Sequence, residues 1–411
     1  MMPDVSFGGL LVVCLVAAGI PLLLGFAPRV RVPSVVLEIV AGIVLGPSVL
    51  GWVRLDLPIQ VLGLIGLAFL LFLSGLEIDA SRLRGRLLRV SALGYLLTLA
   101  LGVPLGLGLT ALGWTSSPLL VAVALSATSL GLVVPVLKDA GQADSEVGQT
   151  AIVAATVADF SAIVLLSLLF SASSGSTGTR VGLLVAFAVL VGATAFAVAR
   201  AGRSMRLGEV LVRLQDTTAE IRIRFAVLLL VAFTFLAERF GLESILGAFL
   251  AGTVVGIVDR DAASHPRFRS KLEAIGFGFL VPVFFVGSGI RLDLTGLFAS
   301  PGALLRVPVL LVALLVVRGV PALLYLRSFG RPDTLAAGLL QATSLPFIVT
   351  AVQIGLELRL VSPVTGAAMI CAGLVSVLVF PLLALTLLRR GVPVAHRGAA
   401  SAGGPVTSVT M

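Results

Sequence analysis

Apolar runs of roughly 20 residues, each long enough to cross a bilayer as a helix, recur from one end of this chain to the other. Thirteen are expected to span: near 7–26, 33–53, 57–76, 90–114, 117–137, 147–170, 181–199, 225–241, 243–258, 274–290, 303–327, 334–356 and 361–388. Strands of a membrane barrel would alternate apolar and polar over about ten residues, so the class is all-α and polytopic. The charged fraction agrees: 12%, with a mean hydropathy of +1.14, against roughly 25% charge in soluble domains. The flank of the first run, MMPDVS, is acidic rather than basic and the run is long, so it reads as a helix and not as a signal peptide.

Charge placement orients the chain. With the N-terminus outside, the expected cytoplasmic loops hold 22 Lys or Arg and the opposite loops hold six, as the positive-inside rule requires. The net charge of +9 then follows from topology and contact with anionic lipid, and nucleic acid need not be invoked. Cys14 and Cys371 lie inside spans, and His265 and His396 lie in cytoplasmic segments. No disulfide framework, metal cluster or intramembrane histidine relay is available, and no cofactor is implied. The segment 200–224, rich in Arg, reads as an inner-leaflet surface helix or a solvated linker. The tail 389–411 reads as disordered.

Four short sequences recur in order at nearly constant spacing. AGIVLG (41–46) returns as AGTVVG (251–256), SGLEID (74–79) as SGIRLD (288–293), GVP (102–104) at 319–321, and ATSL (127–130) at 342–345. Each match pairs spans seven apart. The odd shift reverses the direction of entry, so the chain is expected to be two inverted six-helix repeats joined by span 7. Such repeats build secondary transporters, with the substrate between the halves near the bilayer midplane. Thr128, Ser129, Gly131 and Pro135 in one copy, and Thr343, Ser344 and Pro346 in the other, mark broken helices that cross there. Proline removes a backbone donor, and the freed groups need partners in protein, water or an ion. The plainer reading is that these hydroxyls cap kinks or bond between helices.

Asp159 stands at the centre of span 6. A charge there costs about 2.5–3.5 kcal/mol on insertion scales and marks an ion or proton pathway. One carboxyl can hold a proton or a small cation, but hardly both, which is the minimal device for exchanging them. A permanent buried ion pair is the structural alternative. Arg318, deep in span 11, is the basic counterpart. It is a fixed charge that compensates half-helix dipoles, pairs with Asp159, or simply orients the bundle. Glu38 sits about five residues inside span 2, where Arg29 or Arg31 is in reach for an ion pair at the rim, and Glu238 is placed similarly.

The stretches EIVAGIVLGPSVLG (38–51), FLLFLSGLEID (69–79), GLESILGAFLAG (241–252) and FLVPVFFVGSGIRLDL (279–294) resemble the monovalent cation:proton antiporter family, and the likeness runs from about residue 7 to 388. The resemblance implies exchange of Na+, Li+ or K+ for protons in a bacterial-type plasma membrane. It implies a homodimer built on scaffold helices (1–89 and 225–302) beside a mobile core (90–170 and 303–388), with 171–224 as connector. It places Asp159 on the family's ion-binding aspartate, Thr128 and Ser129 on the first unwound segment, Ser344, Leu345 and Pro346 on the second, and Arg318 on a family Lys or Arg position. Many relatives carry Asp, Asn or Gln before the essential aspartate, whereas this chain has Ala158. One titratable group then implies one cation per proton and no net charge movement. A cation-coupled symporter of a small organic anion is the competing reading. An aspartyl protease would need two central aspartates, and a non-transporting receptor component gives no reason for a midplane carboxylate.

Overall fold

The computed structural model describes residues 7–26, 32–78, 85–139, 141–170, 177–202, 220–258 and 266–390. These form eighteen α-helices: α1 Gly8–Phe26, α2 Ser34–Leu45, α3 Leu57–Leu76, α4 Gly85–Ala111, α5 Pro118–Ser126, α6 Leu130–Asp139, α7 Glu146–Phe170, α8 Thr177–Gly202, α9 Ile221–Arg239, α10 Ser244–Val258, α11 Pro266–Ile275, α12 Val281–Ile290, α13 Leu294–Phe298, α14 Pro301–Leu304, α15 Arg306–Gly319, α16 Arg331–Gln341, α17 Pro346–Glu357 and α18 Pro363–Arg390. A π-helical turn, Gly276–Leu280, joins α11 to α12, and a 3-10 turn, Val320–Tyr325, follows α15. Among the described residues there is no strand, only an isolated bridge between Thr115 and Val361.

All thirteen expected stretches contain helix, and eight helical stretches among the described residues are long and apolar enough to cross a membrane, one of them, Arg331–Glu357, running through a break. The second is shorter than expected: α2 stops at Leu45 because Gly46 turns extended ahead of Pro47, which disfavours a helical residue before it. The bulk of the 200–224 segment, Arg29, Arg31, His265 and the tail beyond 390 fall outside the described residues.

Two packed groups emerge. In one, α2, α3, α9, α10 and α12 lie against each other; in the other, α4, α5, α7, α15, α16, α17 and α18 do. Within the first group α3 and α12 run antiparallel: Ile59 meets Gly287, Gly66 meets Leu280, and Leu73 meets Gly276. Glu77, one residue past α3, and Arg291, one residue past α12, therefore mark opposite ends of the molecule.

Glycine contacts repeat the sequence symmetry atom by atom. A Cβ on Gly42 would lie 2.1 Å from the Val286 carbonyl oxygen, and one on Gly252 would lie 1.9 Å from that of Phe72. A Cβ on Gly289 would meet Ile39 O at 2.1 Å and Ile43 N at 2.9 Å; on Gly75 it would meet Phe249 O at 2.1 Å and Thr253 N at 2.9 Å. The α2–α12 and α3–α10 crossings are thus the same contact made twice, with small residues letting backbones touch. Substituting Gly42 or Gly252 by Ala is expected to push two backbones apart and cost about 1–3 kcal/mol. Thermal denaturation in detergent should show both variants destabilised, and Gly182→Ala, where a Cβ meets nothing within 4 Å, unchanged.

Candidate functional site

Both ATSL segments interrupt their helices. Residues 127–129 separate α5 from α6, and 342–345 separate α16 from α17. Pro346 opens α17, where its missing donor costs nothing. The two breaks are joined directly: the Ser129 N–H donates to the Thr343 carbonyl at 2.8 Å. Thr128 Oγ1 donates to the Gln341 carbonyl at 2.6 Å.

Asp159 reaches this crossing from the middle of α7. Its carboxylate accepts the Thr128 N–H at 3.1 Å and the Leu130 N–H at 3.4 Å. The Leu130 amide opens α6 and the Thr128 amide lies two residues before it, so the carboxylate sits at the positive end of a half-helix. Asp159 is half-buried, with its open face towards a cavity of about 60 Å3 that Thr128, Ser129, Gly131, Pro346, Ser74 and Glu77 also line. A carboxylate offers about four lone-pair positions, and two backbone donors leave room for a cation or a proton.

Arg318 stands behind the crossing, 2% exposed. It donates from Nε and Nη2 to Thr128 Oγ1, from Nε to the Gln341 carbonyl at 3.3 Å, and from Nη1 to Thr98 Oγ1 at 3.2 Å. Gln341 is the last residue of α16, so the guanidinium meets a helix C-terminus, the negative end of its dipole. Its hydrogen bonds go to that terminus and to two hydroxyls rather than to Asp159. Of the other expected residues, Thr343 contributes its carbonyl, and its hydroxyl bonds back to Leu339. Ser344 is turned away from the cavity: its backbone is clamped by Ser376 of α18, and its hydroxyl is buried without a partner.

Sequence reasoning missed Glu77. It looked like a carboxylate at a span end, yet it lines the Asp159 cavity. Its Oε2 is buried without a partner, and its Oε1 lies 3.8 Å from Arg269. Burial raises the Glu77 carboxyl above the ordinary range, and Arg269 opposes that shift. The signal was there in SGLEID, since its mate SGIRLD carries an opposite charge at the matching place. Glu38 proves to be buried, 3% exposed; the arginines expected to meet it are not among the described residues.

Comparison with known proteins bears on the family and the fold. The family model for the transmembrane region of sodium/hydrogen exchangers matches residues 13–389. The Bacillus subtilis protein YjbQ is 30% identical over 404 residues, 95% of this chain; the chain spans only 64% of that relative's length. A Na(+)/H(+) antiporter of Enterococcus hirae is 25% identical over 296 residues, covering 69% of this chain and 73% of its own. The solved structure of the sodium proton antiporter MjNhaP1 from Methanocaldococcus jannaschii superposes with a TM-score of 0.64 at 20% identity, over 92% of this chain and 98% of that one, which is a likeness of fold.

Proposed function

Because this chain belongs to the sodium/hydrogen exchanger family, we propose that it exchanges a monovalent cation, Na+, Li+ or K+, for protons across the membrane, with Asp159 holding the two in turn. The observation that carries this reading is the Asp159 carboxylate, fixed by two backbone amides at the meeting of two broken helices and open to a small cavity. A dehydrated cation takes oxygen ligands there, from the carboxylate, from Ser129 and from the Thr128 backbone, the Thr128 hydroxyl being occupied by Arg318 and Gln341. Protonation removes the charge that holds the cation and so releases it. Between occupants, the α6 N-terminus and the nearby Arg318 stabilise the bare carboxylate. Glu77 offers an approaching cation a second carboxylate oxygen in the same cavity.

The two packed groups suit scaffold and core. In this proposal 1–89 and 225–302 form the scaffold and the dimer surface, while 90–170 and 303–388 carry the site across the membrane in an elevator motion. The N-terminus lies outside and the C-terminus in the cytoplasm, as the charge asymmetry directs. A symporter for an organic anion finds no support: the cavity is about 60 Å3 and no Lys or Arg lines it, so an anion would lack a counter-charge.

Proton flux in everted membrane vesicles tests the proposal. Adding Na+, Li+ or K+ should collapse a pre-formed pH gradient; no response to any of the three would contradict it. Ala158, wholly buried beside Asp159, leaves Asp159 as the one titratable group bonded to the crossing; with Glu77, in the same cavity, keeping its protonation state through the cycle, exchange should be one for one. In proteoliposomes an imposed membrane potential should then leave the exchange rate unchanged and no current should flow. A rate that follows voltage would exclude that stoichiometry.

A further inference from the structure

The repeat makes a specific statement about how the two sides of the site open and close. At the Arg291 end, α17 of the second group is tied to α12 of the first: Gln353 Nε2 donates to Ser288 Oγ at 3.2 Å. Ser288 is 3% exposed and donates in turn to the Phe284 carbonyl, one turn back. Two further cavities, of about 20 and 90 Å3, flank this contact, and both are lined by Ser288, Arg291 and Gln353. Neither is lined by Asp159. The cavity that Asp159 does line runs instead to Glu77, at the opposite end. In this state the cavity of the site extends towards Glu77 and not towards Arg291, with the Gln353–Ser288 contact on the Arg291 side.

Each member of that contact has a counterpart in the other repeat. At the spacing of SGLEID and SGIRLD, Ser288 corresponds to Ser74 and Arg291 to Glu77. Ser74 likewise donates to the carbonyl one turn back, Leu70 at 3.1 Å, and it lines the open cavity. At the spacing of the two ATSL segments, Gln353 corresponds to Lys138, on α6. Lys138 is exposed and makes no ion pair among the described residues, yet its charge is felt at the Glu77 carboxylate. The side that is open thus has the same parts as the side that is closed, held apart.

We propose that Gln353 and Lys138 are the paired gate residues of this protein: Gln353 closes one side on Ser288 in the present state, and Lys138 closes the other on Ser74 and Glu77 in the alternate state. The inference rests on the exchange reading only in needing a second state. The glycine contacts that repeat atom by atom between α2–α12 and α3–α10 show that the repeats hold equivalent geometry where they do not move. The broken helices α6 and α17 are the parts free to differ. The two gates differ in chemistry. The Gln353 gate is a neutral hydrogen bond, whereas the Lys138 gate ends in an ion pair, a charge-assisted bond and so the stronger of the two. Glu77 is engaged by Lys138 only when the cavity is shut, which also removes the unpaired buried oxygen seen here.

Cross-linking tests this directly. In full-length protein with Cys14 and Cys371 replaced by Ser, one variant carries Gln353→Cys with Ser288→Cys and another carries Lys138→Cys with Ser74→Cys. A short, reducible bis-methanethiosulfonate reagent spans side chains too far apart for a direct disulfide. Both pairs should cross-link in membranes, each bridge should stop exchange, and reduction should restore it. In a four-cysteine protein, closing the 353–288 bridge first should prevent the 138–74 bridge. Both bridges in one molecule, or a 138–74 pair that never cross-links while 353–288 does, would overturn the proposal. Unbridged protein that shows no cation/proton exchange would instead sink the functional reading and leave the gate result standing, so the two failures are separable.

Discussion

Replacing Asp159 with Asn abolishes cation-driven proton movement while leaving the fold in place. Asn has the shape of Asp; its one side-chain oxygen can still accept the shorter of the two bonds, from the Thr128 amide, and only the longer bond from Leu130 is lost. What it cannot do is titrate or carry charge. A cation at the helix crossing then meets only neutral oxygens, the Glu77 carboxylate lying towards the other end of the cavity, and no proton can be displaced from residue 159 by its arrival. The loss should therefore be complete rather than partial, with unfolding temperature and yield close to wild type. Asp159→Glu keeps the charge but pushes the carboxyl a methylene further into a cavity of about 60 Å3, and should leave weak, measurable exchange. Vesicle assays on the three proteins, with thermal denaturation as the control for folding, check the series. Wild-type exchange in Asp159→Asn would rule out a shared carboxylate.

Removing the guanidinium of Arg318 is the other large effect, and its signature is different. Arg318 is buried and holds four elements at once: Thr98 on α4, Thr128 in the first break, Gln341 at the end of α16, and its own α15. Hydrogen bonds from a charged donor contribute about 1.5–3 kcal/mol each. Arg318→Ala loses several of them, leaves the Gln341 carbonyl with Thr128 alone, and opens a void as well. We expect destabilisation of at least about 3 kcal/mol, visible as a lower unfolding temperature, together with loss of exchange because Thr128 is no longer held where Asp159 meets it. Arg318→Lys retains the charge but replaces a planar fork with a point donor, and should recover part of the stability. An Arg318→Ala protein that is as stable and active as wild type would show that the crossing does not depend on this residue.

The contrast between Asp159 and Glu77 shows what a sequence can reveal at such a site. Asp159 was legible because a carboxyl in the middle of an apolar run has no ordinary explanation. The breaks were legible because ATSL recurs, with proline following in both copies. Glu77 lies at a helix end, where carboxylates are common and apolar periodicity says nothing. Only the placement of the end of α3 beside the first break and α7 brings it to the cavity. Arg318 was recognisable as a buried charge, but its partners lie 190 to 220 residues away for Thr128 and Thr98, and no local pattern selects a helix terminus over Asp159. Ser344 illustrates the converse. Its place in a repeated motif put it at the crossing, yet in this copy Ser376 of the neighbouring α18 bonds its backbone N–H and carbonyl, and its own hydroxyl is left buried without a partner. Repeats conserve backbone geometry more faithfully than side chains: α18, the counterpart of α7, brings a serine to the second break where α7 brings Asp159 to the first.

A proton count tests the shared carboxylate most directly. Purified protein in weakly buffered detergent solution is titrated with the transported cation while released protons and bound cation are both measured. At a pH where the site begins protonated, each cation bound should release one proton, the apparent affinity should fall up to about tenfold per pH unit on further acidification as the two ligands compete, and Asp159→Asn should release none. Cation binding with no proton release, or equal release from Asp159→Asn, would contradict the claim that one carboxylate serves both ions.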